Sequence, residues 1–168
     1  MIEIKVTSYR LAKEEFFKWA THAISLMNDD MKFIHTNASW NNGVPNPKHL
    51  CLYFDDVVNR KFSNHPPEMS HLLVAFNFVS KLPADARLLI HCHAGLSRST
   101  AMAIAICVYK GMSPEDAVKY VYSVRPQMQP NALIIKQADE VLELGGALNK
   151  AMQNFADAHG WGGAIYIS

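Results

Sequence analysis

Ile2, Ile4 and Val6 alternate with Glu3 and Lys5, the period-two signature of a short half-buried strand. The rhythm then changes. From Tyr9 to Asn28, Leu11, Phe16, Trp19, Ala20, Ala23, Ile24 and Met27 recur at intervals of three and four. That spacing predicts one amphipathic helix, with Thr7 or Ser8 as its cap. Phe33-Ile34-His35 predicts a second short strand, and residues 37–48, rich in Asn, Gly and Pro, predict a loop. His49 to Phe54 reads as a strand running directly into Asp55-Asp56. Residues 59–67 are irregular, and a helix is predicted over 68–81 with Leu72, Leu73, Phe76 and Val79 facing inward. Arg87 to His91 is almost continuously apolar, as a strand in the covered middle of a sheet should be. The helix predicted over 98–110 is apolar on nearly every side and so belongs at the centre of the fold. Gly111 closes it. Ser113-Pro114 opens the next helix, which stops before Pro126. Another helix runs from Asn131 to Gly145-Gly146, and a last amphipathic piece reaches Ala158. The tail, residues 159–168, carries three glycines and reads as loose. Strands alternating with helices imply an α/β fold, a central, mostly parallel sheet flanked by helices. No repeat or linker divides residues 1–158, which read as one domain.

Composition narrows the partners. The 168 residues include 49% hydrophobic and only 18% charged side chains, ample for a packed core. Sixteen basic and fifteen acidic residues leave a formal charge of +1, so nothing asks for nucleic acid, although a small anion needs only a local positive site. Three widely spaced cysteines, Cys51, Cys92 and Cys107, do not form a disulfide framework. The N-terminus lacks a secretory pattern, and the longest apolar run, Ala101 to Tyr109, is nine residues. A membrane crossing needs about 20. The expected compartment is a reducing cytoplasm, without a membrane partner.

One segment carries chemistry: His91-Cys92-His93-Ala94-Gly95-Leu96-Ser97-Arg98-Ser99, which joins the apolar strand to the buried helix. A short loop entering a helix directs several backbone N–H groups at its centre, and the helix end adds about half a positive charge. This suits an anion of phosphate size, bound by His93, Ala94, Gly95, Leu96, Ser97 and Arg98. Gly95 supplies a conformation or a closeness of approach that a Cβ would hinder. Arg98 offers a planar fork for two phosphoryl oxygens, and an Arg at a helix start opposes the dipole unless an anion is near. Cys92 lies at the floor of the loop, where the same donors favour its thiolate. Ser99, on the first helical turn, can donate to the sulfur and ease its departure. A metal cluster of His91, Cys92 and His93 is disfavoured because consecutive strand residues point to opposite faces. Cys51 and Cys107 read as core residues.

The segment resembles the His-Cys-x5-Arg-Ser/Thr signature of the cysteine-dependent protein tyrosine phosphatases. Ala94-Gly95 and Ser97-Arg98-Ser99 are most similar to the dual-specificity subgroup and its bacterial relatives. The strand ending in Phe54-Asp55-Asp56, the helix near 68–81, and Arg125-Pro126 followed by Pro130-Asn131 look like that subgroup in order and spacing. The resemblance implies a dual-specificity-phosphatase-like fold and hydrolysis of phosphotyrosine, with phosphoserine and phosphothreonine as further candidates, in a phosphorylated protein or peptide. It implies two steps: Cys92 attacks phosphorus while an Asp protonates the leaving oxygen, then water activated by the same Asp hydrolyses the phosphocysteine. Arg98 and the loop amides hold the oxygens, and no metal or other cofactor is expected. Asp55 and Asp56 stand 37 and 36 residues before Cys92. Strand alternation points them to opposite faces, and Asp56, the farther of the two from the strand's apolar end and the freer to move on a loop, is the favoured acid. His91 is expected to be structural, bonded to the loop backbone. Asn131 resembles a position that braces the loop, and a helix cap explains it equally well.

Other readings share the loop. Phosphoinositide phosphatases similar to this family often place Lys inside it, and here there is none. An RNA 5′-phosphatase calls for a basic surface that +1 does not supply. A sulfurtransferase, an arsenate reductase and a catalytically weak phospho-binding module complete the alternatives.

Overall fold

In the computed structural model, which describes residues 2–163 and 165–166, four strands form one parallel sheet. They are β1 (Glu3–Ser8), β2 (His22–Met27), β3 (His49–Tyr53) and β4 (Arg87–Cys92), in the spatial order β1-β4-β2-β3. β4 is central and pairs on both sides. Ser8 lies opposite Cys92 on β1, and Ser25 opposite His91 on β2. This explains its continuous apolarity, because both of its faces are covered. Leu88, Ile90 and Cys92 join the main core, while Leu89 packs in a smaller cluster with Ala12, Phe16, Ala23 and Trp40. Alternation along the strand therefore sends His91 and Cys92 to opposite sides.

The main core is covered by α2 (Met69–Ser80), α3 (Arg98–Tyr109), α4 (Pro114–Val124), α5 (Ala132–Val141) and α6 (Ala147–Ala158). α3 is buried from Arg98 to Cys107 and packs on β4 and β1. Ser113 caps α4 by accepting from Asp116 N at 3.1 Å, with Pro114 in the first turn, a cap worth about 1 kcal/mol. α1 (Tyr9–Lys18) lies on β4 and β1 with the smaller cluster.

Several expectations are corrected. The helix predicted over 9–28 ends at Lys18, and His22–Met27 is strand β2. β2 is buried on both faces, so it carries no alternation, and Ala23, Ile24 and Met27 continue the helical spacing by coincidence. Phe33-Ile34-His35 is not a strand but a turn that follows a short 3-10 helix, Asp29–Met31, leaving Phe33 85% and Ile34 69% exposed and only His35 buried. Leu73 in α2 faces solvent, because the stripe is set by Leu72, Ala75, Phe76 and Val79. The tail is tied down as far as it is described. Tyr166 is buried, its hydroxyl donates to Pro130 O at 2.7 Å, and its N–H donates to Gln153 Oε1 at 2.9 Å. Among the described residues no helix is long and apolar enough to cross a membrane.

Candidate active site

The loop from Cys92 to Arg98 leaves the C-terminal end of β4 and enters α3. Five of its carbonyls are held from outside. His93 O accepts from Tyr9 N at 3.0 Å. Ala94 O and Gly95 O accept from Arg125, from Nη2 at 3.3 Å and from Nε at 2.9 Å. Leu96 O accepts from Gln129 N at 2.8 Å and Ser97 O from Asn131 N at 3.2 Å. In a trans peptide the N–H points opposite the preceding C=O. Five outward carbonyls therefore turn the amides of Ala94, Gly95, Leu96, Ser97 and Arg98 toward the loop centre. Gly95 N already donates to Cys92 Sγ at 3.2 Å.

Gly95 is required twice over. Its φ is +70°, and a Cβ would fall on the Thr7 carbonyl group and within 2.7 Å of Ser8 N. The end of β1 thus presses directly on the loop, a contact only glycine permits. Cys92 lies at the base, and Ser99 Oγ is 3.2 Å from its sulfur. Arg98 is 2% exposed, and its Nη1 donates to Phe54 O at 2.6 Å. Its Nε is buried without a hydrogen-bond partner and stands 3.9 Å from Asp56 Oδ2. Buried unpartnered donors are rare, and this one belongs to a guanidinium beside a ring of inward amides. Together they fit a tetrahedral oxyanion.

The two carboxylates part company here. Asp56 Oδ1 accepts from Ser97 Oγ at 2.7 Å and from Asn131 Nδ2 at 2.9 Å, so it lies at the rim of the loop. Asp55 Oδ2 accepts from Ser63 Oγ at 2.6 Å, and Asp55 lines a separate cavity with Asn28, Asp29, Asp30 and His65. Asn131 serves both roles weighed for it. Its Oδ1 caps α5 through Ile134 N at 3.1 Å, while its Nδ2 also reaches Val57 O at 3.1 Å. His93 and Ala94 are exposed at the loop's outer edge. His91 lies beneath the loop, its Nδ1 3.3 Å from Cys92 O and its Nε2 2.6 Å from Ser25 Oγ. Burial, reinforced by nearby His35, pushes its pKa down to about 3, so the ring is neutral. Sequence reasoning did not find Tyr9, Gln129 or the bracing role of Arg125. Only the Arg125-Pro126 pair offered a signal.

Residues 18–141 match the family model described as the dual specificity phosphatase catalytic domain. The chain is 27% identical over 116 residues to the Tyrosine-protein phosphatase yvh1 of Schizosaccharomyces pombe, a match over 68% of this chain and 34% of that protein. The chain thus spans about a third of that relative's length. Among solved structures, human DUSP28 superposes with a TM-score of 0.63 at 20% identity, covering 86% of this chain and 94% of that one. PTPMT1 in complex with PI(5)P gives 0.58 at 18% identity, over 85% and 94%. These two likenesses speak to the fold. With the family model spanning well over half of its length, the chain belongs to the dual-specificity phosphatase catalytic-domain family.

Proposed function

We propose that the chain hydrolyses phosphotyrosine, and phosphoserine or phosphothreonine with it, in phosphorylated proteins or peptides. The activity resides in residues 1–158, against which the glycine-rich tail packs through Tyr166. The reading places the protein in the cytoplasm, where reducing conditions keep Cys92 a thiol. What supports it is one arrangement: five outward-bonded carbonyls around a free thiol, with an unpartnered buried guanidinium nitrogen beside it.

Cys92 Sγ, its proton given up to solvent, forms a bond to phosphorus as the P–O bond to the leaving group breaks, and Asp56 gives its proton to that oxygen. Arg98 and the five amides hold the equatorial oxygens through the transition state, where preorganised donors act most strongly. Asp56, now a carboxylate, takes a proton from water, which attacks the phosphocysteine. The sulfur leaves as a thiolate, stabilised by Ser99 Oγ and Gly95 N. Ser97 and Asn131 keep the acid aimed at the rim.

The test is hydrolysis of an aryl phosphate without added metal. Cys92→Ser should abolish turnover and still bind vanadate or phosphate. Metal-independent hydrolysis surviving in that variant would overturn the mechanism. Because PTPMT1, solved with PI(5)P, shares the fold, phosphatidylinositol phosphates are assayed beside phosphotyrosine, phosphoserine and phosphothreonine peptides. A preference for the lipid would replace the protein-substrate reading.

A further inference from the structure

The sheet face opposite Cys92 holds a second convergence of polar side chains. Parallel register sets Ser25 of β2 between His91 of β4 and Cys51 of β3. His49 precedes Cys51 by two residues and so shares its face. His35 arrives from the turn segment between β2 and β3. The Nε2 atoms of His35, His49 and His91 lie 2.9, 2.7 and 2.6 Å from Ser25 Oγ, and Cys51 Sγ is 3.5 Å from His49 Nε2. One ligand atom from each of His35, His49 and Cys51 lies within 4.8 Å of the other two. His35 is 1% and His49 2% exposed, and Trp40 stacks on His49 with ring centroids 4.5 Å apart.

Proton counting shows which ring nitrogens this network holds and which it can free. A hydroxyl has one proton to give and two lone pairs. His91 Nδ1 faces the Cys92 carbonyl, so its Nε2 takes the Ser25 proton. His35 and His49 must then donate from Nε2 to Ser25 Oγ. This leaves the His49 Nδ1 lone pair buried without a partner. The other His49 tautomer leaves an N–H unpartnered there instead and turns a free Nε2 lone pair toward Ser25 and Cys51.

We propose that His35, His49 and Cys51 form a binding site for a divalent transition-metal ion, zinc being the class that two imidazoles and a thiolate select. Zinc takes such donors at about 2.0–2.3 Å in tetrahedral geometry, so the three ligand atoms draw together around the ion. Ser25 Oγ or a water supplies the fourth position. The His35 and His49 Nε2 lone pairs and the Cys51 sulfur each form a bond to the metal. The Cys51 proton leaves to solvent, His35 and His49 each carry their proton on Nδ1, and no electron changes hands. Entry comes from the turn segment around His35, which carries no element longer than the three-residue helix Asp29–Met31. Once bound, the ion ties that segment to β3, which β2 separates from His91 and the base of the Cys92 loop. The site is separate from the phosphate loop and independent of the phosphatase reading.

The experiment uses the full chain carrying Cys92→Ser, which removes the thiol of the loop. Titration with cobalt(II) should load about one ion per chain and develop a cobalt–thiolate absorption band that zinc(II) bleaches. Zinc should also raise the midpoint of thermal unfolding. Adding Cys51→Ser, a near-isosteric change at a half-buried position, should abolish the band and weaken cobalt binding more than about tenfold. His35→Gln should weaken binding similarly but keep the band. Absence of bound cobalt, or a band and affinity unchanged by Cys51→Ser, overturns the proposal. Should Cys51→Ser fail to fold, the His35→Gln affinity decides in its place.

Discussion

His91 and Cys92 are chain neighbours facing opposite sides of one strand, and the polar groups on those two sides are treated differently. On the Cys92 side the loop's carbonyls are bonded outward and its amides converge on a centre beside the unpartnered Arg98 Nε. On the His91 side three imidazoles converge on the Ser25 hydroxyl and satisfy one another almost completely. The first arrangement has donors in excess, a surplus that an anion would satisfy. The second is a buried, neutral network whose surplus is lone pairs. The peptide of Cys92 links them, because its carbonyl faces His91 Nδ1. A single strand can thus end in a charged binding site and still rest on a buried polar layer that carries no net charge.

The contrast breaks most visibly at Arg98. Arg98→Lys keeps the charge but loses the fork that reaches Phe54 O while presenting Nε. Turnover of an aryl phosphate should fall about a thousandfold, with cooperative thermal unfolding retained at a midpoint lowered by the loss of the Phe54 bond. A loss of less than tenfold would mean that the amides suffice. The next largest effect is expected at Asp56. Asp56→Asn should slow turnover about a hundredfold and leave phosphate binding intact, while Asp55→Asn stays near wild type in steady-state kinetics. The reverse order would make Asp55 the acid. On the His91 side, Ser25→Ala removes the hub that three imidazoles share. Stability should fall by about 2 kcal/mol, measured by urea unfolding, with a smaller effect on turnover than either loop variant. If stability is untouched, the network is not a packed structural layer. The smallest effect sharpens the comparison among thiols. Burial pushes Cys107 up to about 12 and Cys51 up to about 11. Below those values both remain protonated and unreactive. Iodoacetamide at pH 7 should therefore label Cys92 alone, more slowly in the presence of phosphate. Mass mapping at pH 7 and pH 10 checks it, with Cys51 labelling faster at the higher pH.

Local chemistry was legible wherever it was contiguous. β4, the loop and α3 occupy one unbroken stretch, and their apolar run, glycine and arginine state the geometry almost residue by residue. α4 announced itself through Ser113 and Pro114, and the strand before Asp55-Asp56 ended within one residue of its expected place. β2 was hidden, since a strand covered on both faces has no alternation to read. Phe33 and Ile34 looked like strand residues yet lie in a turn and face solvent.

The sequence by itself determined where the loop falls, because Cys92, Gly95, Arg98 and the helix start lie in one contiguous stretch, whereas the aim of its amides depends on Tyr9, Arg125, Gln129 and Asn131 holding its carbonyls from elsewhere in the chain. Tertiary structure decided the rest. It chose which of two adjacent carboxylates meets Ser97 and Asn131, and it placed Arg125 behind Gly95. It also set Ser25 between residues 26 positions ahead and 66 positions ahead of it. Those meetings depend on strand register and on loops closing across the fold, and neither leaves a periodic trace in the chain.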